Sequence, residues 1–231
     1  MTGSVAQPVP ARSVLVTGGT GGLGGAVTRA FVEAGWRTVV AYRSKPPEGV
    51  VAIRADLAEP GSVGEVAALA AGAPEAPLKA VVNLVGGFAM GGRVHETSVD
   101  EFEAQFRTNL RPTYLVCAAT IPHLIAAGGG SVVCLSSRAA LHPFPGAAGY
   151  ITSKAAVLAL VDALDAEYNH DKIRVNAVLP GVIDTPTNRE SMPDADRADW
   201  VAPADIAKTI LFLAGDDSST ISGGRIPVHR A

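Results

Sequence analysis

Short apolar runs alternate with longer segments whose apolar residues recur at helical spacing along most of the chain. Continuous runs such as residues 14–16 are typical of strands that are buried on both faces. The longer segments keep apolar side chains on one face, as Leu23, Val27 and Phe31 do. The pattern predicts strands at 13–17, 38–42, 50–54, 80–85, 131–136, 173–178 and 224–228, and helices at 22–34, 62–71, 100–127, 148–169 and 204–213.

This alternation predicts an α/β protein whose parallel sheet carries helices on both faces. We expect a single doubly wound domain over 12–231, with a mostly parallel, seven-stranded sheet. The first eleven residues are small, polar and proline-bearing, so we expect 1–11 to be a flexible tail. Gly35 is placed to close the first helix, and Pro112 and Pro122 should kink or break the third one.

Composition narrows the class of protein. Hydrophobic residues make up 48% of the chain and charged residues 18%, which supplies enough apolar surface for a large core. The net charge is −3 without any basic run, so nothing indicates a nucleic-acid partner. No apolar stretch has the length of a membrane span, and the N-terminus lacks the basic and apolar regions of a signal peptide. We therefore expect a cytoplasmic protein that binds neither membranes nor nucleic acids.

The cysteines and histidines favour structural roles over metal binding. Cys117 and Cys134 fall in apolar segments of a predicted helix and a predicted strand, which indicates two reduced core thiols. His95, His123 and His142 lack the spacing of metal ligands, so we expect no metal.

A glycine-rich turn joins the first strand to the first helix. It reads Thr-Gly-Gly-Thr-Gly-Gly-Leu-Gly over residues 17–24. Glycines let the backbone approach a pyrophosphate, and the N-terminus of the helix adds N–H donors and positive potential. The order of strand, glycine turn and helix predicts a dinucleotide site rather than a plain turn.

Tyr150 and Lys154 lie four residues apart on a predicted helix, so their side chains share a face. A phenol has an ordinary pKa of about 10, and a neighbouring ammonium lowers that pKa. Ser137, at the end of a predicted strand, can bring a hydroxyl to the oxygen of a carbonyl. Such a pair also occurs on many helices as a solvated lysine beside a tyrosine. Together with the glycine turn, the trio predicts proton transfer to or from a carbonyl or alcohol.

In combination, these motifs resemble the short-chain dehydrogenase/reductase family over roughly residues 12–228. Other family landmarks occur in order, namely Asp56-Leu57, Asn83 to Gly86, Asn109, Ser137 thirteen residues before Tyr150, and Pro180-Gly181 followed by Thr185. The resemblance implies a Rossmann-like fold and an oxidoreductase that interconverts ketones and secondary alcohols with a nicotinamide cofactor. The sequence departs from the family at Leu84 and Val85, within its Asn-Asn-Ala-Gly motif, and at the C-terminus, which lacks a terminal Asp-Gly-Gly.

The family pattern implies a role for each matched catalytic residue. Tyr150 is the general acid or base, and Lys154 lowers its pKa and binds the nicotinamide ribose. Ser137 polarises the substrate oxygen, and Asn109 holds a helix carbonyl and a water that links Lys154 to solvent. We prefer Ser137 to Ser136 because adjacent side chains of a strand face opposite ways.

The expected cofactor contacts follow the same motifs. They are Gly18, Gly19, Thr20, Gly21, Gly22, Leu23, Arg43, Ser44, Asp56, Leu57, Asn83, Val85, Gly86, Tyr150, Lys154, Pro180, Gly181, Ile183 and Thr185. No carboxylate follows the second strand before Glu48, whereas Arg43, Ser44 and Lys45 offer donors for a 2′-phosphate. We therefore expect NADP(H) to be preferred over NAD(H); the alternative is that Arg43 and Lys45 are solvated loop residues.

Apolar residues near the predicted site favour a hydrophobic or cyclic ketone. The candidate substrate contacts are Phe88, Met90, Arg138, His142, Phe144 and Trp200. Core packing is the alternative for Phe88, Met90 and Trp200. The segment 185–200 is short, which suggests an open cleft or one that a neighbouring subunit completes.

Two other functions remain open. One is a non-catalytic, cofactor-binding regulatory or scaffold protein, although such proteins often lose the tyrosine or lysine. The other is sugar-nucleotide chemistry on a related fold, which usually needs a longer chain. The resemblance also suggests a homo-tetramer or dimer built on the two long helices.

Overall fold

The computed structural model describes residues 12–230, so the predicted tail at 1–11 lies outside the described residues. In residues 12–230, seven strands form one sheet in the order β3-β2-β1-β4-β5-β6-β7, and every neighbouring pair is parallel. The strands are β1 (Ser13–Thr17), β2 (Arg37–Tyr42), β3 (Val51–Arg54), β4 (Leu78–Asn83), β5 (Gly130–Leu135), β6 (Ile173–Pro180) and β7 (Arg225–Val228). The predicted Rossmann-like α/β fold is confirmed.

Helices cover both faces of this sheet. They are α1 (Gly22–Glu33), α2 (Pro60–Ala71), α3 (Val99–Asn109), α4 (Arg111–Ala126), α5 (Ala148–Tyr168), α6 (Pro186–Ser191) and α7 (Pro203–Ala214). Alternate side chains of a strand enter opposite layers of the core. Val14 and Val16 pack in the layer that contains α1 and α7, whereas Leu15 packs in the layer that contains α2, α4 and α5.

The end of α1 follows from a local glycine motif. Gly35 has a φ of 78°, and its N–H donates to the carbonyl of Val32 while Trp36 N–H donates to that of Phe31. These two bonds and the left-handed glycine form a Schellman motif. The rings of Phe31 and Trp36 meet at 5.3 Å, which adds the hydrophobic contact that accompanies such a cap.

The predicted helix at 100–127 is two helices, α3 and α4, which meet at Leu110. Pro112 lies in the first turn of α4, where its missing N–H needs no partner, and so it marks the break. Pro122, by contrast, stays inside α4. The pattern did not predict α6, which is short and begins at Pro186 after Thr185, whose hydroxyl accepts from Asn188 N–H.

Because all the strands are parallel, their carboxyl ends meet at one edge of the sheet. The order of the strands reverses between β1 and β4, which are neighbours but belong to different halves of the sheet. Crevices at such a switch point are where open α/β sheets bind ligands. The glycine turn after β1 and the segments after β4, β5 and β6 therefore converge there.

Candidate active site

The glycine turn after β1 allows very close contact between backbone segments. A Cβ atom on Gly24 would lie 1.9 Å from the carbonyl oxygen of Gly18, and one on Gly19 would lie 2.8 Å from side-chain atoms of Thr28 and Val40. Gly21 is the N-cap residue of α1 and offers no capping side chain, and the first turn of α1 carries no acidic residue. The N–H groups of this helix end therefore face a bare surface that suits an anionic phosphate. Thr20 is exposed there, whereas Leu23 is buried in the core.

The segment after β6 lies against this turn. A Cβ atom on Gly22 would lie 2.8 Å from the side chain of Thr185. Pro180 is the buried last residue of β6, Gly181 N–H donates to the carbonyl of Val228, and Ile183 pairs with Val201. The structure thus brings the predicted contacts at 180–185 beside the predicted phosphate turn.

The ends of β2 and β3 form the next part of the site edge. Arg43 and Ser44 are exposed, and the carbonyl of Arg43 accepts a 3.0 Å hydrogen bond from Arg54 Nε. Asp56 is exposed and its carboxylate accepts from Ala58 N–H, whereas Leu57 is buried in the core.

Asn83 directs its side chain away from this edge. It is buried, and its Nδ2 contacts the sulfur atoms of Cys117 at 3.4 Å and Cys134 at 3.8 Å. Only its backbone is left for a cofactor. Val85 is half-buried, and Gly86 is exposed beside the next group of polar atoms.

Tyr150 and Ser137 lie together at the end of β5. Ser137 Oγ accepts from Ala139 N–H at 3.2 Å and lies near the Tyr150 phenol, whereas the Ser136 hydroxyl donates to the carbonyl of Lys154 at 2.8 Å. Burial raises the pKa of the Tyr150 phenol above its ordinary value, and the nearby Ser137 hydroxyl opposes this by a smaller amount. The net shift is upward, opposite to the lowering by Lys154 that the sequence led us to expect.

Lys154 is a buried cation on the same face of α5. Only 4% of it is exposed, and its Nζ donates to the carbonyl of Leu135 at 3.1 Å. Burial lowers the pKa of Lys154 to about 8, since desolvation disfavours the charged form. A Cβ atom on Gly86 would lie 2.6 Å from Asn109 Oδ1 and 2.9 Å from this Nζ, so a larger residue here would push against both side chains.

Asn109, the last residue of α3, forms hydrogen bonds to two parts of the site. It is fully buried, its Oδ1 accepts from Gly87 N–H at 2.9 Å, and its Nδ2 donates to Ser153 Oγ at 3.0 Å. Ser153 Oγ in turn donates to the carbonyl of Tyr150 at 2.8 Å. Asn109 therefore links the segment after β4 to the helix that carries Tyr150 and Lys154.

Apolar side chains lie on the open side of Tyr150. Phe88 and Met90 follow β4 and are exposed, as are Arg138, His142 and Phe144 after β5. The Phe88 ring meets the Tyr150 ring edge-on at 4.9 Å. Trp200 is 5% exposed and lies beneath the guanidinium of Arg197, which favours its alternative as a packing residue.

Two positions of interest were not identified from the sequence. Ser153 lies three residues after Tyr150, and a small hydroxyl on the buried face of that helix was the available signal. Arg54 is the last residue of β3 and pairs with Tyr42 of β2, which places it beside Arg43. This neighbour follows from the pairing of the two strands. Within residues 12–230, no cluster of three or more His, Cys, Asp or Glu side chains could hold a metal ion. No helix in that described range is long and apolar enough to cross a membrane.

Comparisons with known proteins bear on this site. A family model described as short chain dehydrogenase matches residues 12–196. The chain is 32% identical to the 2-(R)-hydroxypropyl-CoM dehydrogenase of Xanthobacter autotrophicus, over 95% of this chain and 98% of that protein. It is 30% identical to the 2,5-dichloro-2,5-cyclohexadiene-1,4-diol dehydrogenase LinX of Sphingobium indicum, over 97% of each protein. A solved structure described as a short chain dehydrogenase/reductase family protein superimposes with a TM-score of 0.86 at 31% identity, covering 96% of this chain and 97% of that one.

Proposed function

Since the chain belongs to the short-chain dehydrogenase family of NAD(P)-dependent oxidoreductases, we propose that it reduces a ketone to a secondary alcohol with NADPH. The observation that carries this proposal is the constellation of half-buried Ser137 and Tyr150 with buried Lys154, which Asn109 braces beside the glycine turn. The residues at the turn fit a dinucleotide, because close backbone contacts and an open helix N-terminus leave room for a pyrophosphate.

The residues of the chain would share the reaction as follows. Ser137 Oγ and Tyr150 Oη bind the carbonyl oxygen, and Tyr150 donates the proton that this oxygen takes. A nicotinamide held beside these residues would supply the hydride, which is two electrons and a proton, to the carbonyl carbon. Lys154, buried and cationic below its pKa of about 8, favours the phenolate that remains until solvent returns a proton. The sum is ketone, NADPH and one proton giving alcohol and NADP⁺.

The raised pKa of Tyr150 supports the direction of this proposal. A phenol that keeps its proton at neutral pH is ready to act as an acid in reduction. The test is turnover of purified protein with a panel of ketones and NADPH. The proposal fails if no ketone is reduced, or if the turnover does not depend on Tyr150.

The exposed cations after β2 and β3 support the choice of NADPH. Arg43 is fixed through its carbonyl by Arg54, and no carboxylate lies between Tyr42 and Glu48. Guanidinium groups bind phosphates by bidentate, charge-assisted hydrogen bonds, whereas a carboxylate there would repel the 2′-phosphate.

Arg43→Glu tests this choice of cofactor. We expect the KM for NADPH to rise about 10-fold or more, while the KM for NADH changes far less, because one charge-assisted contact to the 2′-phosphate is lost. Lys208→Glu on α7, where Lys208 is exposed and paired with Asp205, is the control for the charge change. A KM for NADH below that for NADPH in the unaltered protein contradicts the preference.

We also propose that the chain forms a dimer or tetramer through its long helices. Tyr114 and Ile125 on α4 are exposed apolar side chains, which suits burial in a subunit interface. Sedimentation velocity distinguishes these assemblies from a monomer.

A further inference from the structure

Exposed apolar side chains concentrate at the carboxyl edge of the sheet. Of the thirteen exposed large hydrophobic residues in the described part of the chain, Phe88, Met90, Leu141, Phe144 and Val182 follow within ten residues of the ends of β4, β5 or β6. Exposed apolar side chains that cluster beside polar groups are typical of a surface that binds a ligand.

Two aromatic rings form a continuous wall next to the Tyr150 phenol. Phe88 meets the Tyr150 ring at 4.9 Å with an angle of 87° between the ring planes, and Phe144 lies 6.4 Å from Phe88. Phe88 nonetheless leaves 57% of its surface exposed and Phe144 leaves 41%. We call Phe88 and Phe144 the aromatic wall. The aromatic wall therefore keeps exposed ring surface close to the phenol that donates the proton in the proposed reaction.

Backbone contacts hold the aromatic wall in place. Gly87 N–H, adjacent to Phe88, donates to Asn109 Oδ1 at 2.9 Å. Three residues beyond Phe88, Gly91 N–H donates to the carbonyl of Gly146 at 2.7 Å, which joins the segment after β4 to the one that carries Phe144. The two rings thus lie on connected segments and present a fixed surface, which lowers the entropy cost of binding a rigid partner.

The wall carries almost no charge. Residues 84–92 include no ionisable side chain, and His142 is the ionisable residue within 139–147. Arg138 is exposed, one residue beyond Ser137. A neutral ring can therefore rest on the wall without leaving a charge unpaired.

We propose that the substrate is a neutral ketone, or the matching secondary alcohol, whose carbonyl carbon belongs to or adjoins a flat aryl or alicyclic ring that packs on the aromatic wall. This inference rests on the proposed reductase function. The ring contacts Phe88 and Phe144 while the carbonyl oxygen faces Ser137 and Tyr150. Phe88 and Phe144 are then specificity-determining residues, because they favour ring ketones over small acyclic ones.

The experiment compares kcat/KM for 1-tetralone with kcat/KM for 2-butanone in the presence of NADPH. We expect the ring ketone to be favoured at least about 10-fold in the unaltered protein, since aromatic contacts and buried ring surface add to its binding. Phe88→Ala and Phe144→Ala should each lower the ratio of the two values by about 3- to 10-fold, and Phe88→Trp, which keeps a ring, should restore it. Phe212→Ala is the matched control, because Phe212 is similarly exposed but lines a cavity with Arg12 and Trp36 at the amino edge of the sheet.

Fluorescence titration with NADPH shows which variants retain a folded cofactor site, and the two separate alanine variants guard against one that fails to fold. A preference for 2-butanone, or an unchanged ratio in a folded Phe88→Ala or Phe144→Ala protein, overturns the inference while the proposed reductase function stands. Absence of Tyr150-dependent turnover with every ketone overturns the proposed function itself.

Discussion

At the scale of single residues, burial shifts the pKa values of the two ionisable groups of the site, Lys154 and Tyr150. Lys154 is a nearly fully buried amine whose hydrogen bond goes to the Leu135 carbonyl, and its pKa of about 8 lies below the ordinary 10.5. Tyr150 is shifted upward for the same reason, since burial disfavours whichever form carries the charge. Burial therefore favours the neutral phenol at Tyr150, which gives up its proton as negative charge develops on the substrate oxygen.

The pKa of Lys154 has a consequence for stability. Between pH 8 and 10.5 the unfolded state binds more protons at Lys154 than the folded state, so its contribution to the free energy of unfolding rises with pH in this window. Below pH 8 the cost of burying the cation is present in full. We expect the difference in unfolding free energy between the unaltered protein and Lys154→Met to shift by about 2 kcal/mol in favour of the unaltered protein from pH 8 to 10.

Urea unfolding at several pH values measures this shift. Other titrating groups are common to both proteins, so the difference between them isolates Lys154. A difference that stays constant from pH 7 to 10 contradicts a lowered pKa at this residue.

At the scale of elements, the turn between β1 and α1 carries the tightest steric requirement in the site. Gly24 faces the Gly18 carbonyl at a separation that excludes any Cβ atom, whereas a Cβ atom on its neighbour Gly25 meets nothing within 4 Å. The two glycines are adjacent on α1, which makes them a matched pair.

Gly24→Ala and Gly25→Ala should therefore act in opposite directions. We expect Gly24→Ala to destabilise the protein by about 2 kcal/mol or more and to weaken NADPH binding, because the turn must open. Gly25→Ala should stabilise it by roughly 0.5–1 kcal/mol, since alanine favours a helix. Thermal unfolding and cofactor titration of both variants are the measurements. Equal effects from the two substitutions would mean that the close approach at Gly24 is not a constraint.

The helices and strands also show how much of the fold can be predicted from the sequence. Runs such as residues 14–16 predict strands well, because a strand buried on both faces needs unbroken apolar residues. Pro112 was expected to kink or break the helix at 100–127, and it marks the break at Leu110. The helix α6 was not predicted by the pattern, since it is short, polar and held by the Thr185 cap. Motifs identified the glycine turn, Ser137, Tyr150 and Lys154 as candidates, and the structure brings these together.

The sequence indicated which residues belong to the site better than it indicated how their side chains contact one another. The upward pKa shift of Tyr150 arises from burial, which depends on residues far apart in the chain such as Phe88. The Asn83 side chain turned inward because Cys117 and Cys134 lie beside it, on α4 and β5. Neither contact leaves a spacing signal in the sequence.

At the scale of the whole molecule, the two cysteine thiols can be used to test whether the core is closely packed. Cys117 and Cys134 are the two cysteines of the chain and are at most 1% exposed, in the layer between the sheet and α4. The neighbouring Cys134 thiol, together with burial, raises the pKa of the Cys117 thiol, so its reactive thiolate is scarce.

We expect neither thiol to react with an aromatic disulfide reagent in the folded protein, and both to react once urea unfolds it. The urea dependence of the reaction should coincide with that of circular dichroism, because exposing these sulfurs requires separating α4 from the sheet. Rapid modification of one thiol without urea contradicts the packing of this layer.

The central claim is that Tyr150 donates the proton to a substrate oxygen beside a bound nicotinamide, and Tyr150→Phe tests it most directly. The substitution removes one hydroxyl and keeps the ring that contacts Phe88. Measured with NADPH and a reducible ketone, kcat should fall at least about 100-fold, while the Kd for NADPH changes by less than about threefold. A variant that retains kcat within about threefold of the unaltered protein would contradict the account.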